Sequence, residues 1–288
     1  MPINTLVQYC DNLYHRPDRC GTCGNECKGS CLKCLEHIHK TTTNDRTYNC
    51  ANIINCYTCK YIYKYSAETE HLLTQFKRWF EQIGDNYITI GSIGCGPCCE
   101  LFGFYQFKVH NNLSFKIQYR GFELINEWEH IHRKINSLNI ADNIDIQYED
   151  VFEYYNRNRN YPQILILNYV LSDIVRRCNT DERNYFLEKL YTLIANMNAR
   201  TFIVFNDINL GRNDTEARFF YDLIEQELQK RHINVVTRKY HFPNSQRFYV
   251  KYGNELPNNI TCDIPRDINQ KYNPWAECRS AAIIIYKR

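Results

Sequence analysis

The sequence predicts an α/β protein. Its core is a seven-stranded, mostly parallel, doubly wound sheet with an antiparallel edge strand, and a small cysteine-rich module precedes it. Three observations carry this. From residue 66 onward, short apolar runs alternate with stretches of helical period. The run Ile164-Leu165-Ile166-Leu167 is apolar throughout, as a strand buried on both faces must be. Nine of the 15 cysteines lie between Cys10 and Cys59, in a region with many turn residues and few long apolar runs.

The elements follow in order. Residues 1–65 form the module and 66–288 the larger domain. Leu72, Leu73, Phe76, Trp79, Phe80 and Ile83 repeat at helical spacing, with Ser66 as N-cap and Gly84 as stop. Tyr87–Ile93 reads as the first strand and Cys98–Phe107 as the helix after it. Phe115–Phe122 is a strand, Leu124–Ser137 a helix and Ile144–Tyr148 the third strand. Ile164–Asn168 is the fourth, followed by a helix over Asp181–Met197. Thr201–Phe205 is the fifth strand and Thr215–Arg231 the next helix. Val235–Tyr240, Arg247–Lys251 and Ala281–Lys287 are strands without long helices between them, which places an antiparallel pairing at the end of the sheet.

Composition narrows the function classes. The net charge of +3 is too small to make duplex DNA or an anionic membrane the default partner. No apolar run is long enough to span a bilayer, and the N-terminal residues carry no basic start or apolar stretch of a secretion signal. A cytoplasmic, reducing location is therefore expected. There, many cysteines mean metal ligands or buried thiols rather than disulfides.

The cysteine spacing favours metal. Cys20-x2-Cys23-x3-Cys27-x3-Cys31-x2-Cys34 is followed by Cys50 and then Cys56-x2-Cys59. A C-x2-C step lets two thiolates share one tetrahedral ion. Eight thiols complete two zinc sites, with Cys10, His15, His37 and His39 as substitutes. Zinc would offset the missing core; an iron–sulfur cluster and free buried thiols are the alternatives. Residues 1–66 hold eight Lys/Arg against five Asp/Glu, which keeps RNA among the partners. The string Tyr57, Tyr61, Tyr63, Tyr65 would either stack bases or, as the preferred reading, pack the module on the larger domain.

The stretch from Tyr87 to Phe104, YITIGSIGCGPCCELFGF, sets Gly94 and Gly96 just past the first strand. Glycines there let the backbone turn sharply and approach a ligand closely. Glu123 ends the second strand, where an acid can accept ribose hydroxyls, and Asp150 follows the third. Cys98 and Cys99 read as packing residues.

On these motifs residues 66–288 resemble a class I S-adenosylmethionine-dependent methyltransferase. SIGCGP resembles the first motif, RGFE the acid at the second strand, YEDVF the third motif and LNYVLSD the strand-four motif; the tail resembles the reversed seventh strand. Ser92 stands where an acid often opens the first motif, and Cys98 where a small residue is usual. The resemblance implies that Gly94, Cys95, Gly96, Glu123, Asp150 and Asn168 bind S-adenosylmethionine. It implies methyl transfer to an acceptor of unknown class: RNA, protein or small molecule. The absence of prolines after Asn168 weakens base methylation. Asp173, Asp207 and His241 are candidate general bases, each with a structural role as the alternative. The competing function is a non-catalytic binding protein of the same fold; a third is another use of the same sulfonium.

Overall fold

The computed structural model describes residues 1–14, 30–40, 48, 50–209, 217–243 and 250–288. The described helices are α1 (Pro2–Leu13), α2 (Cys31–Lys40), α3 (Ala51–Thr74), α4 (Lys77–Ile83), α5 (Cys99–His110), α6 (Glu129–Asn136), α7 (Val151–Asn158), α8 (Leu171–Arg177), α9 (Thr180–Asn196), α10 (Ala217–Lys230) and α11 (Arg266–Tyr272). The strands are β1 (Tyr87–Ile93), β2 (Lys116–Phe122), β3 (Asn143–Gln147), β4 (Ile164–Asn168), β5 (Thr201–Ile208), β6 (Val235–His241), β7 (Asn254–Glu255) and β8 (Ser280–Lys287).

They form one sheet in the order β3-β2-β1-β4-β5-β8-β6-β7. All neighbours are parallel except β8, which runs against β5 on one side and β6 on the other. The mostly parallel sheet with antiparallel pairing toward one end matches the expected architecture. The described residues form eight strands where a seven-stranded sheet was expected: seven of the strand-like runs read from the sequence have counterparts, and Asn254–Glu255 adds a short pairing beside β6. The expected strand over Arg247–Lys251 falls largely outside the described residues.

Both faces are covered. On β4, Ile164 and Ile166 join the core beneath α1, α2, α3, α5 and α6, whereas Leu165 and Leu167 join the core beneath α7, α9 and α10. The two-residue alternation of a strand divides the apolar run between two cores.

The N-terminal region departs from expectation. α1 buries Ile3, Leu6, Val7 and Cys10, spaced i, i+3, i+4, i+7 along one helix face. α3 runs unbroken from Ala51 to Thr74, so position 65/66 lies inside a helix. Ser66 is not an N-cap: it is fully buried and donates to the Cys99 carbonyl at 2.9 Å. The crossing of α3 and α5 there is close. A Cβ built on Gly103 would lie 2.6 Å from both the Ser66 carbonyl oxygen and Thr69 Cβ, so only glycine lets the two backbones approach this far. The expected single helix ending at Gly84 is two helices. The chain breaks after Thr74 and lays Phe76 on Phe202, centroids 4.8 Å apart at 13°. Gly84 does end α4, at φ +61°.

Among the described residues no helix is long and apolar enough to cross a membrane.

Candidate functional site

The carboxyl ends of β1, β2, β4, β5 and β6 share one edge of the sheet, where open α/β sheets hold ligands. The β1–α5 turn lies at its centre. Gly94 has φ +62° and Gly96 φ +44°, a region that side chains make costly. A Cβ at Gly94 would come within 3.0 Å of Val170, and one at Gly96 within 3.7 Å of the Trp128 ring. The turn is tied to β2 by the Cys95 amide, which donates to the Phe122 carbonyl at 3.0 Å.

Glu123 is buried at the tip of β2. Its carboxylate accepts from the amides of Gly96 at 3.0 Å, Leu124 at 2.9 Å and Ile125 at 3.1 Å. Burial raises its pKa, and these donors together with His132 oppose the rise. Glu123 is thus turned toward the glycine turn.

Below the turn is a second buried acid that the sequence reading passed over. Glu100 accepts from the Tyr119 hydroxyl. Burial, then the charge of Cys98, pushes its pKa up to about 7. Ser92, beside it, is also buried.

Asp150 lies past β3 and caps α7, accepting from the amides of Phe152 at 2.8 Å and Glu153 at 3.0 Å. Asn168, at the end of β4, accepts from Asn206 at 2.9 Å. The three candidate bases hold structural contacts. Asp173 pairs with Arg176 at 2.9 Å. Asp207 accepts from the Ser172 amide at 2.8 Å and its own neighbour Ile208 at 2.7 Å, and burial pushes its pKa up to about 6 against those donors. His241 is buried, with Nδ1 3.2 Å from the Tyr252 amide nitrogen.

Glu68 is the residue that sequence reasoning missed most completely. It sits on α3 with no exposed surface. It accepts from the Tyr169 hydroxyl at 2.9 Å, Asn206 Nδ2 at 3.1 Å and the Arg279 amide at 2.9 Å. One carboxylate so joins α3 to β4, β5 and the entry to β8. No spacing announced it, because a glutamate four residues after Lys64 looks like an ordinary exposed helix pair. The tyrosines of α3 follow the packing reading. Tyr57 meets Trp128 at 5.6 Å, and Tyr65 stacks on Tyr169 at 3.9 Å.

Of the eight proposed metal cysteines, Cys20, Cys23 and Cys27 lie outside the described residues. Cys31, Cys34, Cys50, Cys56 and Cys59 are all buried. Burial, then the neighbouring Cys31 thiol, raises the pKa of Cys56; burial, then Cys10, raises that of Cys59. Among the described residues, the one group of three or more ligating side chains within 4.8 Å of one another is Cys95, Cys98 and His132. Cys98 and Cys99, read from sequence as packing residues, are both buried, but Cys98 also belongs to that group.

No family model matches the chain, and no curated protein matches it. Solved structures do. An rRNA methylase of Streptococcus thermophilus is similar at 11% identity over 75% of this chain and 96% of its own, with a TM-score of 0.44. Precorrin 8w decarboxylase of Methanobacterium thermoautotrophicum is similar at 10% over 77% and 90%, TM-score 0.42. A ribosomal protein L11 methylase of Lactobacillus delbrueckii subsp. bulgaricus is similar at 11% over 77% and 78%, TM-score 0.40. At these values they add nothing to the fold already described.

Proposed function

We propose that this chain is an S-adenosylmethionine-dependent methyltransferase of the class I type. The observation that carries the reading is the Gly94–Cys95–Gly96 turn at the tip of β1, joined through the Gly96 amide to the carboxylate of Glu123 at the tip of β2. The glycines fit a ligand that needs the backbone close at hand. A carboxylate offers about four acceptor sites, and backbone amides use three on Glu123. One is left, which suits a single ribose hydroxyl rather than both. Gly94, Cys95 and Gly96 would lie beneath the methionine and ribose portion, Asp150 beside the adenine, and Asn168 at the reactive end. The cofactor supplies a methyl group already activated on a sulfonium. The protein needs only to align a nucleophile behind it for in-line displacement and to take up a proton where one is released.

Isothermal calorimetry on the full chain tests this. S-adenosylmethionine gives saturable heat at one equivalent, and Glu123→Gln weakens it about tenfold, or ~1.4 kcal/mol. Absence of saturable heat from the wild-type chain refutes the reading.

A second reading, a non-catalytic protein of this fold that binds RNA or protein, has its own support. Asp173, Asp207 and His241 are each committed to neighbours, and Tyr169 is stacked against Tyr65. Cofactor binding without methyl transfer to any RNA, protein or small-molecule fraction would favour it.

The same proposal keeps zinc in the N-terminal region, held by Cys20, Cys23, Cys27, Cys31, Cys34, Cys50, Cys56 and Cys59 as two ions, in a cytoplasmic protein. Elemental analysis of the purified chain separates zinc from iron with sulfide.

A further inference from the structure

The turn that carries Gly94 and Gly96 also carries two buried thiols. Cys95 Sγ packs over Gly121 of β2, where a Cβ would lie only 2.7 Å away. Cys98 caps α5 in a left-handed backbone conformation at φ 52°. Glycine or asparagine holds that conformation at lower cost. The third member comes from a different element. His132 of α6 reaches under the turn, with Nε2 3.9 Å from Cys95 Sγ. All three side chains are buried: Cys95 is 3% exposed, Cys98 0% and His132 3%.

We infer that Cys95, Cys98 and His132 form a metal site for one thiolate-preferring divalent ion, zinc by chemistry, separate from the N-terminal cysteines. Four features support it. The three ligating atoms lie mutually within 4.8 Å. A tetrahedral ion with sulfur at ~2.3 Å and nitrogen at ~2.0 Å needs edges of roughly 3.5–3.8 Å, so a small contraction closes the site. Cys95-Gly96-Pro97-Cys98 has the C-x2-C step that lets two thiolates share an ion. The far nitrogen of the imidazole, Nδ1, is 2.5 Å from the Tyr148 hydroxyl, the kind of outer contact that orients a ligating histidine. The donor set of two sulfurs and one nitrogen selects zinc over magnesium or calcium. Three protein ligands leave a fourth position open, as in zinc sites that exchange a ligand rather than closed structural ones.

The site would act on the turn itself. The Gly96 carbonyl accepts from His132 Nε2 at 2.6 Å, a contact that an ion bound at Nε2 would replace because a ligating nitrogen carries no proton; the Gly96 amide donates to Glu123. An ion drawing His132 and the two thiolates together would set the turn from beneath while Glu123 sets it from the side. The inference does not depend on what the cradle binds.

The test uses the full chain saturated with cadmium-113 and read by NMR, because the shift reports how many thiolates surround each ion. A resonance from a two-thiolate, one-imidazole site is expected, apart from those of the four-thiolate N-terminal sites. It disappears in Cys98→Ser and in His132→Gln, each of which binds one equivalent fewer by elemental analysis, while Cys34→Ser leaves it in place. A saturated wild-type spectrum with no two-thiolate resonance overturns the inference, and so does a Cys95–Cys98 disulfide in protein purified under reducing conditions. The wild-type spectrum decides even if a variant fails to fold. Calorimetry with S-adenosylmethionine, run separately, shows whether the cofactor reading stands or falls on its own.

Discussion

Replacing Glu68 removes the acceptor for three groups at once, the Tyr169 hydroxyl, Asn206 Nδ2 and the Arg279 amide, and takes the counter-charge from the buried Lys64 ammonium 3.7 Å away. A buried donor left without a partner costs about 1–3 kcal/mol. Asn206 keeps its bond to Asn168, and Tyr169 is only partly buried, so their shares fall at the low end. Arg279 loses a backbone partner and takes a full share. Glu68→Ala therefore destabilises by about 3–5 kcal/mol, the range for breaking a buried charged network. Glu68→Gln keeps the shape but turns an amide toward one of the donors, and loses about 1–3 kcal/mol. Urea unfolding followed by circular dichroism and by tyrosine fluorescence measures both. Because Glu68 ties the N-terminal helix α3 to the tips of β4 and β5, the two probes share one transition. A Glu68→Ala loss below 1 kcal/mol, a larger loss in Glu68→Gln, or separate transitions for the two probes would refute the account.

Three further outcomes are expected. Gly103→Val sets a side chain against the Ser66 carbonyl, which cannot move without α3, and lowers stability by about 1–3 kcal/mol in urea titrations, despite the better helix propensity. Gly96→Val forces a β-branched residue to φ +44° and weakens S-adenosylmethionine at least tenfold by calorimetry, with far-ultraviolet dichroism unchanged. Burial holds the Asp207 pKa at about 6, above the usual 3.8, so the folded chain keeps this proton to higher pH than the unfolded one. Folding is then favoured below pH 3.8 and loses that advantage as pH climbs through 6. The stability of wild type relative to Asp207→Asn drops by about 2.4 kcal/mol between pH 4 and pH 7, and a flat difference over that range would contradict the burial argument.

What was legible in the sequence followed period and punctuation. β1 and β4 fall on their expected bounds because an apolar run ending in glycine or asparagine has few other readings. Glu123 stands out in the sequence from its place after a strand, and its carboxylate accepts from the Gly96 amide. The N-terminal helices were harder to see. The spacing of Ile3, Leu6, Val7 and Cys10 was present, but the density of cysteines drew attention to metal instead of to a helix face. α3 hid its start because tyrosines and cysteines, not leucines, fill its buried side. His132 could not be linked to Cys95 and Cys98 by spacing, since more than thirty residues intervene and only the return of α6 beneath the turn brings them together. Glu68 was beyond reach for the same reason: its three hydrogen-bond partners lie in or beside strands in the second half of the chain.

The two peptide faces of Gly96 explain why this turn concentrates so much chemistry. Its amide is fixed by an acid at the tip of β2, and its carbonyl faces an imidazole from the helix that follows. With positive φ on both glycines, neither Gly94 nor Gly96 has a side chain to anchor its peptide, so their placement depends on partners outside the turn as well as on Cys95 and Cys98. Glu123 is one and His132 the other, and both belong to the same β2–α6 passage. A change that moves this passage should alter the cradle and the thiol cluster together. A change confined to β4, such as one at Asn168, should leave the thiol cluster as it is and alter only the reactive end.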